Sequence, residues 1–190
     1  MDSALKSLRR VTREEMKLID TMASTAFGIP SIVLMENAGR QVAAAVLELL
    51  GEAPVGKRVL VFASPGNNGG DGLVAARYLA NAGVLPHILL IGRNPETVTG
   101  DTAANLKVLK RMGLQVVEVR TPAMLDTALG EGAVAPEAVV DALLGTGFSA
   151  ISGEVKEPIA SAIDAINRLG VPVVAADIPS GLDGNTGKGI

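Results

Sequence analysis

Val59-Leu60-Val61-Phe62-Ala63-Ser64-Pro65-Gly66-Asn67-Asn68-Gly69-Gly70-Asp71-Gly72, followed by the amphipathic stretch 73–82, decides the fold. A run of β-formers, a glycine cluster and helical periodicity predict a strand, a tight loop and a helix N-terminus, with the helix starting near Gly72. Glycines let a backbone take positive φ and approach a ligand closely, and the free N–H groups of a helix start attract anions. The stretch has no P-loop lysine and no GxGxxG, and it places a carboxylate, Asp71, where a phosphate would be repelled. This combination points to a site that handles a sugar hydroxyl, a cation or a proton transfer as well as a phosphate.

The same alternation continues along the chain. Strand-like runs at 59–63, 87–91, 115–119, 138–142 and 171–176 are separated by helical stretches near 72–82, 100–112, 122–129 and 155–168. Apolar strands alternating with amphipathic helices predict an α/β fold, doubly wound, with a mostly parallel central sheet covered on both faces. Two helices precede the sheet. Thr12 and Glu15 form a capping-box pattern opening the first, which ends near 26–28, and the second runs from Pro30-Ser31 to Leu50 with Gly51 as its stop.

Composition narrows the chemistry. The chain has 190 residues, room for one domain with a real core, and its formal net charge of −3 lacks the basic footprint of nucleic-acid binding. It contains no cysteine, which removes disulfides, thiolate catalysis and Cys-ligated zinc. His87 is the one histidine and sits in a strand-like run, so a His-based triad or metal site is disfavoured and a structural role expected. Residues 1–10 are basic without an apolar core, and no run approaches the ~18 residues of a membrane span, so a cytoplasmic location is expected.

Three polar clusters each follow a strand: the opening stretch, Asp141 with 145–149, and 177–184. Ligands of open α/β sheets bind at the carboxyl ends of strands near a topological switch point. Together the clusters supply backbone amides, small oxygen donors and three strand-end carboxylates, Asp71, Asp141 and Asp177, suited to a phosphorylated ligand beside a hard cation or an acid–base group. Each has a plainer reading. Asp71 would cap a helix starting at Gly72, Asp141 would be a buried carboxylate satisfied by loop amides, and Asp183-Gly184-Asn185 reads as a turn. Asp177 is the best single functional candidate, Ser180 lacks a base to act as a nucleophile, and Lys156 and Arg168 read as solvated helix positions. Met35-Glu36-Asn37 either lines the site or faces solvent.

These clusters, in this order, closely resemble the YjeF N-terminal domain family, the NAD(P)H-hydrate epimerases. The matching residues are Gly28-Ile29-Pro30, Leu34-Met35-Glu36-Asn37-Ala38-Gly39, Asn67-Asn68-Gly69-Gly70-Asp71-Gly72, 140–147 and Asp177-Ile178-Pro179-Ser180-Gly181. The resemblance implies a Rossmann-like three-layer αβα sandwich, usually a homodimer, that interconverts the R and S epimers of hydrated NADH or NADPH. The S epimer then passes to an ATP- or ADP-dependent dehydratase, separate or fused. Substrate binding falls on Asn67, Asn68, Gly69, Gly70, Asp71, Gly145, Thr146, Gly147, Phe148, Ser149, Ala150, Ile151 and Asp177. A potassium ion falls on Asn68, Asp141 and Ser180, and Asp177 is the expected proton-shuttling catalytic residue. Residues 1–190 are expected to form one domain lacking the last strands typical of the family. The alternative is a non-catalytic nucleotide-binding or scaffold module of the same fold, which has no need to keep the three carboxylates together.

Overall fold

The computed structural model describes residues 10–130, 135–148 and 154–189. The first helix, α1 (Arg13–Thr25), starts where its capping box dictates: Glu15 N–H donates to Thr12 Oγ1 at 3.1 Å and Thr12 N–H donates to Glu15 Oε2 at 2.8 Å. Then α2 (Ser31–Leu50) follows Pro30 and ends at Gly51, whose φ of 79° only glycine adopts without strain. The remaining elements alternate: β1 (Arg58–Ala63), α3 (Asn67–Asn81), β2 (Leu85–Ile91), α4 (Gly100–Arg111), β3 (Val116–Val119), α5 (Pro122–Ala128), β4 (Ala138–Ala142), α6 (Ile159–Arg168) and β5 (Val173–Ala175).

The strands form one parallel sheet in the order β3-β2-β1-β4-β5. Period-2 alternation sends successive side chains of each strand to opposite faces. From β1, Val59, Val61 and Ala63 pack with α2, α3 and α4, while Leu60 and Phe62 pack with α5 and α6. Helices therefore cover both faces, and the three-layer α/β architecture is the expected one. The chain moves outward from β1 through β2 to β3, then returns to place β4 on the other side of β1. That reversal makes the C-terminal ends of β1 and β4 the switch point, where Ser64 N–H donates to the Ala142 carbonyl at 3.1 Å.

Several boundaries differ from the sequence reading, each for a local reason. β2 begins two residues earlier than His87, through Pro86. Pro86 lacks an N–H, but its outer side faces no strand there, since β3 pairs only from Ile88 onward. β5 is shorter than 171–176, because β4 reaches it only from Val139↔Val173. α6 starts at Ile159 rather than near 155, behind Pro158, which disfavours helical backbone in the residue before it.

The largest correction concerns the opening stretch. Asn67 to Gly72 is not a loop: it is the first turn and a half of α3, whose N-cap is Gly66, so Asp71 does not cap the helix. None of Gly66, Gly69, Gly70 or Gly72 has positive φ. Their glycines are there for packing. A Cβ on Gly69 would sit on the Ser64 backbone, one on Gly70 would lie 2.5 Å from Met35 Cε, and one on Gly72 would lie 2.5 Å from Ala142 Cβ. Gly39 of α2 meets the same helix, 2.5 Å from the Asp71 carbonyl by the same measure. The helix is thus pressed against the end of β1, the sheet and α2 at once.

Candidate active site

A two-lobed cleft opens at the C-terminal ends of β1, β4 and β5. Its lobes have volumes of about 850 and 520 Å³ and share Lys17, Asp20, Asn67, Asp71, Thr146 and Asp177 as their common wall. The larger lobe adds the start of α3 (Gly66, Asn68) and the glycine turn Gly145–Phe148; the smaller adds Met35, Ser31 and Asp101. Of the expected binding residues, Asn67, Asn68, Asp71, Gly145, Thr146, Gly147, Phe148 and Asp177 line the cleft. Gly69 and Gly70 are buried behind that lining, and Ser149, Ala150 and Ile151 lie outside the described residues.

Asp177 follows β5 and is held by the turn after β4. Its Oδ2 accepts from Thr146 N–H at 2.6 Å, and a Cβ on Gly145 would lie 2.5 Å from that oxygen. Glycine at 145 therefore makes room for the carboxylate. Asp71 is placed differently. Burial first, then the charges of Asp177 and Asp20, push its carboxyl from the ordinary 3.8 up to about 7. One cleft thus holds two carboxyls in different surroundings, Asp177 bonded by a backbone amide and Asp71 pushed toward its protonated form.

Behind the cleft wall, Asp141 is only 5% exposed, and its oxygens are satisfied. Oδ2 accepts from Ser180 N–H at 2.8 Å, while Oδ1 accepts from Ser180 Oγ at 2.6 Å and from Leu143 N–H at 3.3 Å. Leu144 N–H in turn donates to Ser180 Oγ at 2.9 Å, tying the turn after β4 to the turn after β5. Asn68, lining the same lobe as Leu143 and Leu144, has both amide atoms buried with no hydrogen-bond partner among the described residues. A buried amide without a partner costs roughly 1–3 kcal/mol. The donor set of amide oxygen, hydroxyl and one carboxylate suits a hard monovalent cation, and among the described residues no cluster of three His, Cys, Asp or Glu side chains offers a divalent site.

The sequence reading missed α1 as a wall of the cleft. It expected the helix but assigned it no site residue, because amphipathic spacing does not say where a helix docks. Docking is set by contacts across the chain. Arg13 Nη1 donates to the Phe148 carbonyl at 3.0 Å, Arg13 N–H donates to Asn185 Oδ1 at 3.0 Å, and Asn185 Nδ2 donates to Glu14 Oε2 at 3.0 Å. The Asp183 turn appears as expected, with Oδ1 accepting from the N–H groups of Asn185 and Thr186, and it presents Asn185 to α1. The Met35-Glu36-Asn37 group divides: Met35 lines the cleft, Glu36 bonds Arg77 and Tyr78 of α3, and Asn37 is exposed. His87 is exposed on the first half of β2, far from this end of the sheet, and Lys156 and Arg168 are exposed outside the cleft.

Comparison with known proteins places this architecture. The family model described as YjeF-related protein N-terminus matches residues 31–190. A bifunctional NAD(P)H-hydrate repair enzyme Nnr from Moorella thermoacetica is 39% identical over 178 residues, covering 94% of this chain and 33% of the relative. An NAD(P)H-hydrate epimerase from Pirellula staleyi is 38% identical over 176 residues, covering 92% of this chain and 73% of the relative. The crystal structure of yeast ynu0 superposes with a TM-score of 0.76 at 29% identity, covering 93% of this chain and 72% of that one. The chain spans about a third of the length of the bifunctional relatives it matches. On the matched residues and the shared fold, this chain belongs to the YjeF-related N-terminus family.

Proposed function

We propose that the chain is an NAD(P)H-hydrate epimerase, an isomerase that interconverts the R and S epimers of hydrated NADH and NADPH. The relatives' names give the reaction. The observation that supports it here is the pairing of Asp71 and Asp177 in one cleft, Asp71 pushed toward its protonated form and Asp177 held in place by Thr146 N–H. Epimerisation at a carbon bearing a hydroxyl and the ring nitrogen requires that stereocentre to be broken and remade. Protonated Asp71 gives its proton to the departing hydroxyl, the C–O bond breaks with loss of water, and the ring nitrogen supplies the electron pair. Asp177 stabilises the resulting iminium cation and takes a proton from the water that adds back on the opposite face. Asp177 is the proton-shuttling residue of this reading and Asp71 its acid partner. Backbone N–H groups at the start of α3 and in the turn Gly145–Phe148 take the phosphates. The direct test is incubation of purified R epimer with the protein while S epimer is followed; a rate no greater than the spontaneous one would sink the assignment.

Potassium belongs to the same reading. Asn68, Asp141 and Ser180 would hold it, and the ion would supply a fixed positive charge that neutralises Asp141 and orders the turns after β4 and β5. The unpartnered Asn68 amide supports this placement. Adding K+ to protein in a choline buffer is expected to raise the melting temperature by ~2–6 °C, as a ligand that binds only the folded state does. The Asn68→Leu variant should lose that response. An equal shift in both proteins would remove Asn68 from the cation site.

Three further statements belong to the proposal: a homodimer, a cytoplasmic location, and a dehydratase that consumes the S epimer. Residues 1–190 then form a single epimerase domain. The bifunctional relatives support the fused dehydratase. For the dimer, the support is α1, which buries no residue and exposes Leu18, Ile19 and Met22.

A further inference from the structure

The cleft is rich in acid. Asp20, Asp71, Asp101 and Asp177 line it, whereas a hydrated dinucleotide brings a pyrophosphate with two negative charges. Only two cationic side chains line either lobe among the described residues, Arg13 and Lys17, and both stand on α1, four residues apart on one helix face. Arg13 is committed: its guanidinium donates to the Phe148 carbonyl and its Nε lies 3.3 Å from Glu14 Oε1. Lys17 has no carboxylate within ion-pair distance among the described residues, and it lines both lobes together with Asn67 at the start of α3 and Thr146 of the turn Gly145–Phe148.

We infer that Lys17 is a substrate-binding residue that pairs with the phosphates of the dinucleotide, and that Arg13 with Asn185 positions it by fixing α1 to the turns at Phe148 and Asp183. This inference rests on the proposed substrate class. The division of labour follows from the bonds present. Backbone amides at the start of α3 orient the phosphate but leave its charge in a cleft lined by aspartates, and the Lys17 ammonium in that lining supplies the missing positive charge. It acts on binding, equally in the ground and transition states, so it sets KM and leaves kcat alone.

The test uses the whole chain and two readouts, epimerisation of the R epimer and binding of ADP-ribose, which carries the pyrophosphate without the reacting ring. Lys17→Met is expected to raise KM and weaken ADP-ribose binding roughly tenfold, with kcat and melting temperature unchanged, as loss of one charge-assisted contact does. Lys17→Arg should bind nearly as wild type. Adding choline chloride at constant K+ should weaken binding to wild type much more than to Lys17→Met. ADP-ribose binding that is equal in wild type and Lys17→Met, or absent from wild type, would overturn the role of Lys17. If wild type binds ADP-ribose through Lys17 but does not speed epimerisation, the phosphate contact stands and the proposed reaction fails.

Discussion

Asp177→Asn and Asp71→Asn are each expected to slow epimerisation by ~10²–10⁴ while leaving nucleotide binding within a few-fold, because each removes one proton-transfer group and keeps its shape. The two variants should differ in pH dependence. Asp71 serves as an acid only while protonated, so wild-type kcat should fall as pH rises through about 7. The residual activity of Asp71→Asn should lack that limb, and that of Asp177→Asn should retain it. Near-normal epimerisation by Asp177→Asn, with nucleotide still bound, would remove its catalytic role.

The same carboxyl has a signature in stability. Its folded pKa of about 7 lies above the unfolded value of 3.8, so between these pH values the folded chain holds a proton that the unfolded chain has released. Stability is therefore lost as pH rises through that window and stays lower above it. Asp71→Asn removes the loss. It should stabilise the ligand-free protein at pH 8 by on the order of 1–2 kcal/mol, a shift of several degrees, and change nothing at pH 3. No pH-dependent difference in melting temperature would show that Asp71 ionises normally.

The second large effect is on folding. Gly69→Ala is expected to destabilise the protein by more than ~3 kcal/mol, beyond the usual range for overpacking, because the new methyl group falls on main chain rather than on a side chain able to swing away. The Ser64 carbonyl carbon and nitrogen both lie 2.6 Å from the Cβ position, so α3 can accept the methyl only by lifting off the end of β1. Gly66→Ala, three residues earlier, is the control. Its nearest neighbour would be Ser64 Oγ at 3.8 Å, and the loss there should stay under ~1 kcal/mol. Urea denaturation of the two variants separates them, and equal midpoints would refute the packing explanation.

That contrast also marks what the sequence made legible. Strand and helix identities were readable because β1, with five of its six residues buried, and the heptad-like spacing of α2 carry their periodicity openly. The strand-end location of Asp141 and Asp177 followed from the same alternation. The glycines of α3 were misread as loop because composition records a missing side chain without saying whether the reason is a positive φ or a crowded neighbour. The wall formed by α1 was hidden for a different cause. Its place depends on Asn185, 172 residues away from Arg13, and no local pattern encodes such a contact. The protonation of Asp71 was likewise unreadable, since it arises from burial and from two carboxylates that only the fold brings near.

The bonds that build the cleft also bear on the order of events during folding. Thr146 and Asp177 are 31 residues apart, Asp141 and Ser180 are 39 apart, and Arg13 and Phe148 are 135 apart. Closing such loops is entropically costly, so contacts of this range form late, after the local pairs of β1, α3 and β2. Any partly folded chain that already has its helices and inner strands would still lack a cleft. Ligand capture by this protein would therefore report completion of the entire fold, and an excess of dinucleotide should slow unfolding while leaving the initial collapse on refolding untouched.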